Sequence, residues 1–340
     1  MIKNQKITTA KWIAYFSFIF LFLMNINCSH SEIQPHDEVP VRATAFRVVG
    51  YFRGDLTKDL QRVDFSALTH INIAFANPDS TGKFPPMAGL KQFVNTAHQH
   101  GVKILISIAG GRAPKYYKEL ISPANRTVFI AAINEFLDEY DLDGIDVDLE
   151  GDLITEHYEG FITALGISLD SLRLMTAAVA TEYGWQVPVD ALEKLDFVNI
   201  MSYDKTGPWN PSRPGPHAPY EMAVEDIQYW HEIKGVPKDK LNLGLPFYGH
   251  SFNGPNSTSY TYNRIVSDYP GAEYKDELTM KDGSVVYYNG VPTIRRKTAL
   301  ALHEIGGVMI WQLVQDAAGE KSLLKLIKDV VDTAAKNRDK

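Results

Sequence analysis

Asp143-Gly144-Ile145-Asp146-Val147-Asp148-Leu149-Glu150 carries more information than any other stretch of this 340-residue chain. Side chains alternate across a strand, so Asp146, Asp148 and Glu150 share one face while Ile145, Val147 and Leu149 share the other. Neighbouring carboxylates on that face are about 6.7 Å apart, and at an effective dielectric near 20 two ionised ones repel by about 2.5 kcal/mol. All three cannot comfortably be charged. At least one holds a proton near neutral pH, and Glu150, at the open end of the strand, is placed to offer it as a general acid. Two other readings compete. A polar lining without chemistry would leave three buried acids with no obvious basic partner. A Mg²⁺ or Ca²⁺ site would lack both Ca²⁺-loop spacing and a phosphate-cradling glycine loop. Asp143 falls off the acidic face, where a cap or turn role before Gly144 competes with a direct part in chemistry.

Outward from this strand, short β-branched runs alternate with longer amphipathic ones, the signature of repeated βα units around a parallel sheet. Strands are expected at Phe46 to Tyr51, Thr69 to Ala76, Val102 to Ala109, Gly144 to Leu149, Ser171 to Ala178, Phe197 to Ser202, Leu241 to Phe247 and Gly307 to Gln312. Eight is the number of an α/β TIM barrel, (β/α)8. Helices are expected at Met87 to His100, Pro123 to Tyr140, Thr155 to Leu165, Tyr220 to Lys234, Thr293 to Ile305 and Gly319 to Ala335, with weak helical signal after strands one and five. A doubly wound open sheet is the competing fold, but no G-x-G-x-x-G follows the first strand. Ser251 to Val291, rich in Asn, Tyr, Gly and Asp, is too long for a βα loop and reads as a small hairpin-bearing insert within a barrel spanning 45–338. In such barrels the site lies at the C-terminal ends of the strands.

Composition narrows the partners. With 45% hydrophobic and 22% charged residues, the chain is globular. Its 34 basic against 41 acidic residues, without a basic block, argue against nucleic acid. One cysteine excludes an intramolecular disulfide and a Cys-rich metal site, and the ten histidines show no H-E-x-x-H pairing, so neither metal nor cofactor is expected. Lys3, Lys6 and Lys11 precede the apolar run Trp12 to Met24, the order of an export signal over 1–27. Cys28 follows where bacterial lipoprotein signals place the lipidated cysteine, although Asn25-Ile26-Asn27 matches their small-residue approach poorly. The expectation is an exported protein, lipid-anchored to a bacterial membrane facing the periplasm or exterior, with 28–44 as a flexible tether. An ordinary secreted protein with one leftover thiol is the alternative.

The acidic strand resembles the D-x-x-D-x-D-x-E signature of glycoside hydrolase family 18, met by Asp143, Asp146, Asp148 and Glu150. The likeness extends along the chain through Val49-Gly50-Tyr51-Phe52, His70 to Ala76, Ser107-Ile108-Ala109-Gly110-Gly111, Met201-Ser202-Tyr203-Asp204, Gly244 to Phe252 and Gly306 to Gln312. The resemblance implies a retaining hydrolase in which the substrate's acetamide is the nucleophile. Glu150 would protonate the glycosidic oxygen and then activate water. Asp148 would orient the acetamido group, with Asp146 sharing a proton, and Tyr203 would donate to the acetamido oxygen. Asp204 would bind sugar, and Trp311 would form the floor. Gly110 and Gly111 would let the backbone approach the catalytic strand, or serve only as a turn.

Tyr51, Phe75 and Tyr248 read as pocket-lining aromatics or buried wall. Trp209, in a loop similar to that of chitinases, is a candidate stacking platform. That loop favours a β-1,4-linked N-acetylglucosamine polymer or oligosaccharide over an N-glycan core, and the short insert implies an open groove with endo cleavage. A non-catalytic chitin-binding lectin remains the alternative of a different class, although such proteins typically lose the acid. His250, where many members have Arg, and Gly151, where many have an aromatic, depart from the family pattern.

Overall fold

The computed structural model describes residues 46–338; the expected signal, Cys28 and the tether lie outside the described residues. The strands are β1 (Arg47–Phe52), β2 (His70–Ala74), β3 (Lys103–Ala109), β4 (Gly144–Asp148), β5 (Leu174–Val179), β6 (Phe197–Ile200) and β7 (Leu241–Pro246), then β8 (Tyr248–Phe252), β9 (Thr258–Thr261), β10 (Glu277–Thr279), β11 (Val285–Tyr287) and β12 (Gly307–Trp311). Eight of them close a parallel barrel in the order β1-β12-β7-β6-β5-β4-β3-β2. This is the (β/α)8 architecture. Around it lie α1 (Leu90–Gln99), α2 (Tyr117–Leu120), α3 (Arg126–Tyr140), α4 (Tyr158–Ser168), α5 (Val189–Glu193), α6 (Tyr220–Gln228), α7 (Tyr262–Asp268), α8 (Val291–Glu304) and α9 (Leu323–Arg338).

Each expected barrel strand is present, and the differences at the edges have local causes. Ser171 to Arg173 belong to a turn closed by Arg173 N–H donating to the Asp170 carbonyl at 3.0 Å, so β5 starts later. The last helix starts at Leu323 because Asp316 accepts the Leu323 and Leu324 N–H groups and so holds its first turn. After Gln228, the expected helix continues as a π-helical turn, Tyr229–Ile233. The excursion expected at 251–291 starts earlier and is more than a hairpin. One residue after β7, Tyr248 opens the four-stranded antiparallel sheet β10-β11-β8-β9, which also carries α7.

Strand alternation divides the apolar core into two layers. Val48, Phe52, Ile145 and Val147 face outward into the cluster between barrel and helices, whereas Val49, Tyr51, Phe197 and Met309 fill the lumen. Ile145 is fully buried in the outer layer, so Ile145→Ala would remove about 2–5 kcal/mol. The acidic strand is therefore clamped by its apolar side. Its register fixes the other side: Ser107 and Thr176 flank Asp146, and Ala109 lies beside Asp148.

Candidate active site

Asp146 is the buried root of the acidic row. Its Oδ1 accepts from Thr176 Oγ1 at 2.6 Å and Asn199 Nδ2 at 3.3 Å, and its Oδ2 from Tyr51 Oη at 2.6 Å and Ser107 Oγ at 2.8 Å. Burial still raises its pKa, against the pull of those four bonds. Asp148 has no such set of donors. Burial first, then the charges of Glu150 and Asp146, raise its pKa well above the ordinary carboxylate range. Glu150 is raised too, mainly by burial, and is hydrogen-bonded to Asp148. Burial and mutual repulsion disfavour ionisation of both carboxyls together. Asp146, expected to share a proton with Asp148, accepts from four neutral donors.

Around this pair the lumen is aromatic. Trp311 ends β12, with its ring stacked on Phe75 at 5.7 Å and edge-on to Tyr51 at 5.5 Å. Tyr51 is only 1% exposed and donates its hydroxyl to Asp146. Gly110 has φ +83° and sits under Phe75, whose ring lies 2.5 Å from where a β-carbon would be. At Gly111 that position lies 3.3 Å from Glu150 Oε1, so both glycines leave room for the site's own side chains. Tyr203 is buried beside the acids, its Oη 3.8 Å from Met309 Sδ. Burial, followed by the charges of Asp148 and Asp204, raises its phenol well above the ordinary value and keeps it a donor.

Asp204 stands apart from the acidic row in its partners. It has a left-handed backbone, φ 64°, and its side chain is 42% exposed. Tyr248 Oη donates to its Oδ1 at 2.6 Å, His250 Nε2 lies 2.9 Å from the same oxygen, and His217 Nδ1 lies 3.3 Å away. Burial opposes ionisation here, but the bonds and charges of the two imidazoles outweigh it and hold Asp204 below the usual carboxylate range. Tyr248, expected as a pocket-lining aromatic or buried wall, has its hydroxyl committed to Asp204. Trp209 is 62% exposed and sets its ring edge-on to His250 at 5.2 Å.

Asp143 lies off the acidic face. Its Oδ2 accepts from Ile104 N–H at 2.7 Å and from His98 Nε2 at 2.8 Å, tying β3 and α1 to the start of β4. Sequence reasoning missed His217 and the donors Thr176 and Asn199. Each is an ordinary polar residue in its own segment, and only barrel closure brings them to an acid.

Residues 47–316 match the family described as Glycosyl hydrolases family 18. A family 18 chitinase from the chitin utilization locus of Flavobacterium johnsoniae is 38% identical; the match covers 85% of this chain and 95% of that one, with a TM-score of 0.80. A chitinase from Bacteroides thetaiotaomicron is 30% identical over 85% of this chain and 97% of its own, with a TM-score of 0.75. A chitinase-like effector of Moniliophthora roreri is 30% identical over 249 residues, 63% of this chain; the chain spans 61% of that relative's length. The chain belongs to the glycosyl hydrolases of family 18.

Proposed function

We propose that this protein hydrolyses β-1,4-linked N-acetylglucosamine polymers or oligosaccharides with retention, using the substrate's own acetamide as nucleophile. The observation that carries the reading is the adjacent pair Asp148 and Glu150 at the barrel mouth, whose burial raises both pKa values and which, in this reading, shares one proton. In the proposed reaction that proton passes through Glu150 to the glycosidic oxygen, and the acetamide oxygen bonds to the anomeric carbon as the leaving sugar departs. The pair then carries two negative charges beside the positive oxazolinium ring, which they stabilise. Asp148 faces the ring N–H, and the Tyr203 hydroxyl donates to the acetamide oxygen before attack. Water next adds to the anomeric carbon from the vacated side and gives a proton to Glu150, while the bond from that carbon to the acetamide oxygen breaks, which restores the acetamide and the starting state of the pair.

Trp311, stacked on Phe75, supplies the apolar floor under the reacting sugar. Asp204 and Trp209 would hold sugar beyond it. The chitinases among the similar structures favour chitin-type chains over N-glycan cores. The effector among the relatives keeps a binding-only reading in play, with retention of Glu150, Asp148 and Tyr203 against it.

Glu150→Gln separates the two. It is expected to cut hydrolysis of a chromogenic N-acetylglucosamine oligomer by about 10³-fold or more while oligomer binding persists. Unchanged turnover would overturn the assignment of Glu150, and absence of turnover in the parent protein would leave binding as its function. Product analysis by mass spectrometry on chitin oligomers and on a high-mannose glycopeptide decides the substrate; glycan release from the glycopeptide alone would overturn the chitin reading.

A further inference from the structure

Asp204, His217 and His250 come from three segments: the turn after β6, the loop leading to α6, and the first strand of the insert. Among the described residues, one ligand atom from each can be chosen so that all three lie within 4.8 Å of one another. Two ligands of a tetrahedral zinc ion, each about 2.1 Å from it, lie about 3.4 Å apart. The separations from Asp204 Oδ1, 3.3 Å to His217 Nδ1 and 2.9 Å to His250 Nε2, are close to that spacing. Both imidazoles are nearly inaccessible while Asp204 is 42% exposed, so the three ligand groups form a buried base with one side open to solvent.

The donor arrangement also accommodates a cation. The Asp204 backbone N–H also approaches His217 Nδ1, at 3.4 Å, so that nitrogen has an ordered surrounding whether it carries a proton or a lone pair. Without an ion, a proton on His217 Nδ1 bonds the Asp204 carboxylate oxygen at 3.3 Å, and a divalent cation would take that proton's place between the two atoms. On the other ring, His250 Nδ1 lies 2.8 Å from Ser259 Oγ. With an ion bound, donation of the Nδ1 proton to that hydroxyl would leave Nε2 as a ligand, the orientation that outer hydrogen bonds impose on metal-binding histidines.

We propose that Asp204, His217 and His250 form a binding site for a late first-row divalent metal ion, of which Zn²⁺ is the type. Two imidazole nitrogens and one carboxylate with an open position suit zinc, whereas Mg²⁺ and Ca²⁺ prefer all-oxygen sets. The site is independent of the proposed hydrolysis, because metal binding can be read directly whether or not the protein turns over sugar. It has one consequence for that reaction: an ion on Asp204 occupies a carboxylate assigned to substrate.

Titration calorimetry of the whole, chelator-treated chain with Zn²⁺ at neutral pH is expected to show one saturable site with a Kd of about 10 µM or tighter. His250→Gln and Asp204→Asn should each weaken it about tenfold or more, and Mg²⁺ should give no heat of saturation. No saturable Zn²⁺ binding below about 1 mM, or the same affinity in both variants, would overturn the site. Crystals of the unaltered protein soaked in Zn²⁺ keep the question decidable if either variant fails to fold. Anomalous density about 2.0–2.2 Å from the three ligand atoms would support the proposal; density elsewhere only, or none, would overturn it.

Discussion

Asp148 and Asp204 are the same residue type at the same barrel mouth, yet their surroundings drive them in opposite directions. Asp148 has other acids for neighbours, so burial and repulsion hold a proton on it; Asp204 has two imidazoles and a phenol, so its charge is retained. The difference lies in the partners. A carboxyl surrounded by acids stores a proton that chemistry can spend, while one surrounded by donors becomes a fixed anion that can hold a ligand. The first arrangement costs stability at neutral pH, and the second adds to it.

Asp148→Asn tests the costly side and carries the largest expected effect in this comparison. It should lower kcat about 10²-fold or more, since the amide cannot stabilise a cationic ring as a carboxylate does. The alkaline limb of activity should also move to lower pH, because Glu150 loses the neighbour whose charge helps keep a proton on the pair. Stability should move the other way. Because the folded-state pKa of Asp148 is raised above its unfolded value, its stabilising contribution is present below the ordinary carboxylate range and lost as pH rises through the raised value. Asparagine does not ionise. The variant should therefore match the parent near pH 3 and exceed it at pH 8. A tenfold change in proton affinity is about 1.4 kcal/mol, and a domain of this size gains about 2–4 °C per kcal/mol, so a rise of a few degrees in Tm is expected. A variant less stable at pH 8 would break the comparison.

Asp204→Asn, measured in chelator so that metal plays no part, should have the opposite sign. Asparagine tolerates the left-handed backbone at this position, so the substitution tests the side chain and not the turn. Its amide oxygen is a weaker acceptor for the Tyr248 hydroxyl, and its NH₂ group cannot replace the charge beside the imidazoles. A loss of about 1 kcal/mol is expected, read as a Tm lowered by about 2–4 °C. Equal or higher stability would mean that the fixed anion is no asset to the fold.

The two sites also differ in how far the sequence discloses them. The acidic row lies on alternate residues of β4 and its extended continuation to Glu150, so period-2 geometry alone places Asp146, Asp148 and Glu150 together. The barrel is legible for the same reason, since each strand announces itself locally. Asp204 can be located as the end of a strand motif, but its partners are 13 and 46 residues further on, in a loop and an insert with no recognisable ligand spacing. The donors on Asp146 are similar: Thr176 and Asn199 arrive from β5 and β6 through sheet register. Local periodicity carries strand identity, while closure of the barrel decides which polar side chains meet.

Asp143→Asn isolates the alternation rule itself and should have the smallest effect on activity. Asp143 belongs to the same eight-residue stretch as Glu150, but its carboxylate is turned away and accepts from Ile104 N–H and the His98 ring. An amide oxygen there can keep one acceptor contact, so a loss of about 0.5–1.5 kcal/mol in stability is expected from the weakened bonds. Parent and variant kcat/KM should agree within about twofold, the range left to a residue that makes no transition-state contact. Comparing oligomer hydrolysis by Asp143→Asn and Asp148→Asn under identical conditions measures what strand face alone contributes. A hundredfold loss in Asp143→Asn with its fold intact would show that the start of β4 takes part in catalysis, and the division of this strand into a chemical face and a structural face would fail.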